Sequence, residues 1–170
     1  MLIEKERLGG VCLNEGCIPT KTLLYSAKIF DNIQNGEKYG VTAENIRLDH
    51  EKVIKRKDKT IKILASGIKS ALKNAGCEYL TADAKLVKDA EGTISVSADG
   101  EFFTSKHIII ATGSSAILPP IKGVNEMYHS GFLLTNREIL NLTEPPKSLV
   151  VVGGGVIGLE MASYFSSCRS

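Results

Sequence analysis

An α/β fold is the expectation for this chain, and three observations lead to it. Two nearly all-apolar runs, His107–Ala111 (HIIIA) and Leu149–Val152, have the length of strands covered on both faces. Long stretches ahead of them carry apolar residues at helical spacing. The second run passes straight into Gly153-Gly154-Gly155-Val156-Ile157-Gly158, a glycine-rich turn from strand to helix. At 170 residues the length fits one ordinary domain. A composition of 43% apolar and 24% charged residues excludes a disordered chain. No apolar run approaches the ~20 residues of a membrane helix. The formal net charge of +2 is too small to argue for a nucleic-acid partner. Four cysteines are too few for a disulfide-stapled secreted scaffold. Met1–Gly10 is charged and has no apolar core of a secretory signal.

The elements follow in order. Met1–Glu4 is apolar and then acidic, like the last residues of a buried strand. Leu8–Lys21 (LGGVCLNEGCIPTK) is glycine-rich, and Pro19 suits the first turn of a helix. That helix is expected from about Pro19 to Gln34, with Leu23, Leu24, Ala27 and Phe30 on its apolar face, and Gly36 and Gly40 beyond it. Asp49–Asn74 is the longest helical stretch. Its stripe is Ile54, Ile61, Leu64, Ile68 and Leu72, with Asp49 as N-cap and Gly76 as stop. Lys52, Lys55, Arg56, Lys57, Lys59, Lys62, Lys69 and Lys73 read as its solvated face rather than as an anion-binding surface. Short strands are expected at Glu78–Ala82, Ala84–Lys88, Thr93–Ser97 and Glu101–Ser105, joined by Glu91-Gly92 and Asp99-Gly100 turns into an antiparallel meander. His107–Ala111 and Ser148–Val152 are expected as strands, Asn136–Asn141 as a short helix, and Val156 to about Phe165 as the last helix.

Three constellations carry chemistry. Gly153-x-Gly155-x-x-Gly158 lies after an apolar strand and opens a helix, the context that dinucleotide binding requires. The first glycine permits the turn, the second lets a pyrophosphate approach, and the third lets helix and strand pack closely. The helix N–H groups then face the phosphates. Cys12-x-x-x-x-Cys17 leaves three readings open: a redox disulfide, half a metal site, or two unrelated thiols. Its position near a helix N-terminus favours a reactive thiolate. Glu4, at a strand end, reads either as an acid that binds ribose hydroxyls or as a surface glutamate.

Leu8–Lys21, Ala111-Thr112-Gly113 and Gly153–Glu160 (GGGVIGLE) together resemble the pyridine nucleotide–disulfide oxidoreductases in order and spacing. Leu13 and Ile18 resemble the lipoamide branch, where glutathione and mercuric reductases more often carry valines. The resemblance implies a redox-active Cys12–Cys17 disulfide beside FAD, with Cys12 as the interchange thiol and Cys17 facing the flavin. It places Lys21 near the flavin N5 edge and Glu4 on the adenosine ribose. Gly9 and Gly10 belong to the same FAD site, Thr112, Gly113 and Ser114 close over FAD, and the backbone near Ala84 touches the adenine. Gly153, Gly155, Gly158 and Glu160 belong to the NAD site. No metal site is implied. Electrons pass from dihydrolipoamide, through the disulfide and FAD, to NAD. The partner implied is the lipoyl domain of a 2-oxo acid or acetoin dehydrogenase complex, the full-length form is a homodimer, and the compartment is the cytoplasm.

In those terms residues 1–120 are a partial FAD-binding domain of three layers (ββα) with its β-meander. Residues 121–170 are a linker and the first βα unit of a Rossmann-like NAD(P)-binding domain. The resemblance leads to the expectation that the stretch lacks the family's glycine-rich FAD loop ahead of Met1 and its His–Glu base beyond Ser170. His50, His107 and His129 match no such motif. Ser167-Cys168-Arg169-Ser170 does not continue the pattern, which leaves Cys168 incidental. The oxidoreductase expectation concerns the lineage, whereas the 170-residue chain by itself is expected to be an inactive fragment without bound FAD. The alternatives are another family member, similar to glutathione or mercuric reductases, and a redox-inert zinc or nucleic-acid binding module.

Overall fold

Period-2 alternation from Ala84 to Phe103 produces the most regular part of the structure. In this computed structural model, which describes residues 1–168, β3 (Ala84–Lys88), β4 (Ile94–Ala98) and β5 (Glu101–Phe103) form an antiparallel sheet in that order. Ala84 faces Ala98 and Lys88 faces Ile94 across the first pair, and Val96 faces Phe103 across the second. Asp99 and Gly100 both hold left-handed backbone, φ 50° and 82°. A two-residue hairpin with the twist of its strands requires this conformation. The longer turn is held by Asp89, whose Oδ1 accepts the N–H groups of Glu91 and Thr93 at 3.0 and 2.7 Å.

The meander belongs to one of two compact units, made of Met1–Gly10 and Ile63–Ser114. The same unit contains a two-stranded parallel sheet in which β1 (Leu2–Glu4) pairs with β2 (Tyr79–Thr81), Glu4 lying opposite Thr81. The segment expected as the meander's first strand therefore pairs with the chain's opening strand instead. Between β1 and β2 comes α3 (His50–Asn74), whose residues from Ile63 onward lie in this unit. The helix ends where Gly76 takes φ 64°. There the Gly76 N–H donates to the Lys73 carbonyl and the Cys77 N–H to the Leu72 carbonyl, which satisfies the last turn.

The second unit comprises Val11–Lys62 and the chain from Ser115 on. Its helices are α1 (Gly10–Glu15, all but its first residue), α2 (Cys17–Gln34), the first half of α3, α4 (Val124–His129), α5 (Asn136–Ile139) and α6 (Val156–Ser167). A short 3-10 turn spans Glu37–Tyr39. The core forms where apolar faces of the helices converge: Leu23 and Ala27, one turn apart, meet the adjacent pairs Val53-Ile54 and Ile139-Leu140, with Met161, Tyr164 and Phe165. The short α5 is pinned at its start by a capping box. The Thr135 N–H and hydroxyl both donate to Glu138 Oε2, at 2.7 and 2.6 Å, and the Arg137 N–H donates to Thr135 Oγ1.

Four expectations are corrected. His107–Ala111 and Ser148–Val152 enter no strand ladder among the described residues, so the expected first βα unit has its helix but not its strand. Ile109 is 90% exposed and Val150 86% exposed. An all-apolar strand is stable only with hydrogen-bonded neighbours and cover on both faces, and the described residues bring it neither. The second helix opens at Cys17, two residues before Pro19, because a proline in the first turn needs no donor. Lys57 is not on a solvated face. It is 1% exposed, and its Nζ donates to the Leu140 carbonyl at 2.8 Å and to Asn141 Oδ1 at 2.7 Å, with Asp58 at 3.0 Å. Finally, α1 and α4 are helices that the apolar pattern did not reveal, both too short to display a period.

Candidate active site

Gly16 decides how Cys12 and Cys17 meet. It sits between α1, which carries Cys12, and α2, which begins at Cys17. A Cβ at Gly16 would stand 3.1 Å from the Val11 carbonyl oxygen and 3.2 Å from the Cys12 Cα. Glycine therefore lets the second helix start directly against the first. The two cysteines are joined in a disulfide with their Cα atoms 4.7 Å apart, and both are exposed. The bond thus lies at the head of an 18-residue helix. Partial positive charge collects there, so a Cys17 thiolate is favoured once the bond opens. Buried Leu13 on one side and fully buried Pro19 on the other anchor the loop beneath.

Glu15 ends α1, in the short segment that joins the two cysteines. It is buried, its carboxylate pairs with Arg137 Nε, and its carbonyl oxygen accepts Asn136 Nδ2 at 2.9 Å. Sequence reasoning passed over Glu15 because a single acid in a six-residue helix leaves no periodic signal. Lys21, one turn after Cys17, forms an ion pair with Glu160 of α6. The sequence had assigned these two residues to different nucleotide sites.

Around the glycine turn each glycine has distinct surroundings. Gly153 takes φ 103° and Gly155 an extended conformation as N-cap of α6. A Cβ at either would meet nothing within 4 Å. At Gly158 a Cβ would stand 2.8 Å from Val151 Cγ1 and 3.0 Å from the Gly153 carbonyl oxygen. The turn thus has open space over its first half and none beneath its second.

The remaining residues lie in the unit that carries the meander. Glu4 ends β1, and its Oε1 accepts the Glu6 N–H at 2.9 Å. Gly9 and Gly10 have left-handed backbone, φ 112° and 63°, as does Gly113, φ 75°. Thr112, Gly113 and Ser114 are exposed on a segment outside any helix or strand rather than at a strand end, and Ala84 is exposed at the start of β3.

Two other groups are structural. His50 is buried, with Nδ1 2.8 Å from the Tyr164 hydroxyl and Nε2 2.9 Å from the Leu142 carbonyl. Burial pushes the Tyr164 phenol well above its ordinary range, with Cys168 beside it adding to the shift. Cys168 packs against the same core, and burial raises its thiol, partly offset by a hydrogen bond to Tyr164. Of the Ser167–Ser170 departure, Arg169 and Ser170 lie outside the described residues. Among the described residues no group of three His, Cys, Asp or Glu could hold a metal ion, and no helix is long and apolar enough to cross a membrane.

Comparison with known proteins bears on this geometry. The family model described as pyridine nucleotide-disulphide oxidoreductase matches residues 1–170. A dihydrolipoyl dehydrogenase of Acholeplasma laidlawii is 46% identical over 170 residues, covering 99% of this chain and 49% of that protein. Those of Mycoplasma pneumoniae and Geobacillus stearothermophilus are 38% and 39% identical, over 100% and 98% of this chain and 36% and 34% of theirs. The chain thus spans about a third to a half of the length of these curated relatives. With the family match running from Met1 to Ser170 and each relative aligned across nearly all of the chain, this protein belongs to the pyridine nucleotide-disulphide oxidoreductase family.

Proposed function

We propose that the chain contributes the redox disulfide and nucleotide-contacting segments of a flavin-dependent oxidoreductase that oxidises dihydrolipoamide and reduces NAD. The observation that carries this reading is the exposed Cys12–Cys17 disulfide at the head of α2. The names of the relatives support the substrate. The open space over Gly153 and Gly155 fits a pyrophosphate, since only an absent Cβ leaves backbone N–H groups approachable there. Glu4, Gly9, Gly10, Lys21, Ala84, Thr112, Gly113 and Ser114 would hold FAD, and Gly153, Gly155, Gly158 and Glu160 would hold NAD. When bound, the flavin supplies the hydride chemistry that no side chain offers. We divide the functions near residue 120, with FAD contacts before it and NAD contacts after. A lipoyl domain as partner, a homodimeric full-length form and a cytoplasmic setting complete the reading.

The residues of the chain perform the thiol exchange. A thiolate of the dithiol attacks Cys12 Sγ, the Cys12–Cys17 bond breaks, and Cys17 leaves as a thiolate beside the first N–H groups of α2. A mixed disulfide now joins Cys12 to the substrate. The second substrate thiol gives its proton to water and attacks the substrate sulfur of that bond, expelling the Cys12 thiolate. The dithiol has become a cyclic disulfide, and Cys12 and Cys17 hold the two electrons. Lys21 keeps a positive charge one turn from Cys17, oriented by Glu160.

Incubation of the purified chain with dihydrolipoamide, followed by alkylation and mass measurement, tests the exchange, and visible absorption after addition of FAD tests flavin binding. Expected are two new thiols, at Cys12 and Cys17, and a bound flavin spectrum. Cys12→Ser or Cys17→Ser abolishes the exchange. Stoichiometric zinc without flavin, or a disulfide inert to the dithiol, overturns the proposal.

A further inference from the structure

We infer that Arg137 is a positioning residue for the disulfide, acting through Glu15 by masking a buried negative charge between the two cysteines. The inference rests on the reading of Cys12–Cys17 as a redox pair, and it adds a control of that pair's reactivity. Glu15 follows Cys12 by three residues and precedes Cys17 by two, and its side chain is only 8% exposed. Cys12 and Glu15 stand three apart in α1, the spacing of neighbours on a helix surface, and a carboxylate there, poorly screened by water, opposes the thiolates that form when the bond opens. The guanidinium of Arg137 pairs with it. Its planar, permanently charged fork suits a buried carboxylate better than an ammonium does.

The pair is also held in place from both sides. Asn136 Nδ2 donates to the Glu15 carbonyl, so adjacent residues of α5 grip the side chain and the main chain of Glu15 together. The base of α5 is fixed in turn by the Thr135–Glu138 capping box and by Ile139 and Leu140 in the core. By contrast α1 has six residues, too few to persist alone when the Cys12–Cys17 bond opens. The grip on Glu15 therefore keeps Cys12 beside the head of α2 in the reduced state. The sequence signal is weak: an acid inside the cysteine spacer and an Asn-Arg dipeptide 121 residues further on.

The test follows alkylation of the reduced chain by iodoacetamide across pH, resolved by peptide mass spectrometry so that Cys77 and Cys168 are read separately. Arg137→Gln should slow alkylation of the Cys12–Cys17 pair at neutral pH by about three- to tenfold, the change in thiolate fraction expected when one positive charge is removed from the vicinity. Glu15→Gln should accelerate it, and the double variant should return to within about twofold of the original. Arg137→Lys should restore most of the rate. If Arg137→Gln is poorly folded by circular dichroism, Glu15→Gln, nearly isosteric and neutral, still decides the matter. An unchanged pH profile in Glu15→Gln, or a double variant as slow as Arg137→Gln alone, overturns the inference. Alkylation needs neither flavin nor lipoyl substrate. A chain that fails to exchange with dihydrolipoamide yet shows these shifts therefore refutes the proposed function and not the charge masking.

Discussion

Alanine substitutions at Gly155 and Gly158, three residues apart along one turn, should have different consequences, and their contrast tests whether the turn at Gly153 is built for a ligand. Gly155 has φ −71° and ψ 165°, which alanine adopts without strain, and no atom lies within 4 Å of a Cβ there. Losing a glycine from the unfolded chain gains about 0.4–1 kcal/mol, and alanine is a poorer N-cap than glycine by about 0.5–1 kcal/mol, which nearly cancels the gain. Gly155→Ala should therefore change stability by less than about 0.5 kcal/mol. Gly158→Ala places a methyl 2.8 Å from Val151 Cγ1 and 3.0 Å from a backbone oxygen. Overpacking of this kind costs about 1–3 kcal/mol, against about 0.5–1 gained by alanine inside a helix. The net loss is about 0.5–2 kcal/mol, or several degrees of Tm for a chain of this size. Circular dichroism melts and NADH fluorescence titrations of the two variants give the reading. Gly155→Ala should keep its Tm and weaken NADH binding at least tenfold, since its methyl fills the space a phosphate needs. If Gly155→Ala binds NADH like the parent, the cradle argument is refuted. If Gly158→Ala melts like the parent, the packing argument is.

Other consequences are local. Lys57→Met keeps the buried stem but leaves the Leu140 carbonyl and Asn141 Oδ1 without their ammonium donor, and should cost about 1–3 kcal/mol in urea denaturation. Burial pushes the Glu138 carboxyl up, but the Thr135 hydroxyl, nearby N–H groups and the Tyr128 hydroxyl outweigh it and hold it below its ordinary 4.5. A depressed carboxyl contributes stability that is present above that value and lost as pH falls through the folded one. Thr135→Ala should therefore lower the urea midpoint at pH 7 and flatten its decline in acid. The raised Cys168 thiol works in the other direction: its contribution is complete below the ordinary 9.0 and is lost as pH rises beyond it. Cys168→Ala should reduce the alkaline loss of Tm.

Local chemistry was legible where one residue type decides the outcome. Asp99-Gly100 announced a hairpin, Gly76 a helix stop, and the period-2 run after Ala84 a meander, and the structure contains all three. The core of the helical unit was legible through Leu23, Ala27 and Ile54, since helical spacing records which face is buried. His107–Ala111 and Ser148–Val152 misled because apolar content records a demand for cover and not its presence. Lys57 misled for the complementary reason. Its partners, Leu140 and Asn141, lie more than 80 residues away, and nothing in a basic run marks the one lysine that faces inward. Glu15 was illegible in the same way, because its meaning lies in Arg137.

The packing of α2 against α6 lets one small core position both the disulfide and the glycine turn. Leu23 and Ala27 of α2 meet Met161, Tyr164 and Phe165 of α6 in the same cluster. The first turn of α2 presents Cys17, and the first turn of α6 begins at the glycines. Apolar burial is non-directional, so it fixes the two helices together without specifying how their polar ends align. That alignment falls to Lys21 and Glu160, which pair across the two helices. Lys21 is two-thirds exposed, and an ion pair so open contributes at most about 1 kcal/mol. Its weight therefore lies in where it puts a cation, one turn from Cys17, rather than in holding the fold. The core could lose the pair and stand, whereas the proposed site would lose its positive charge beside the leaving thiolate.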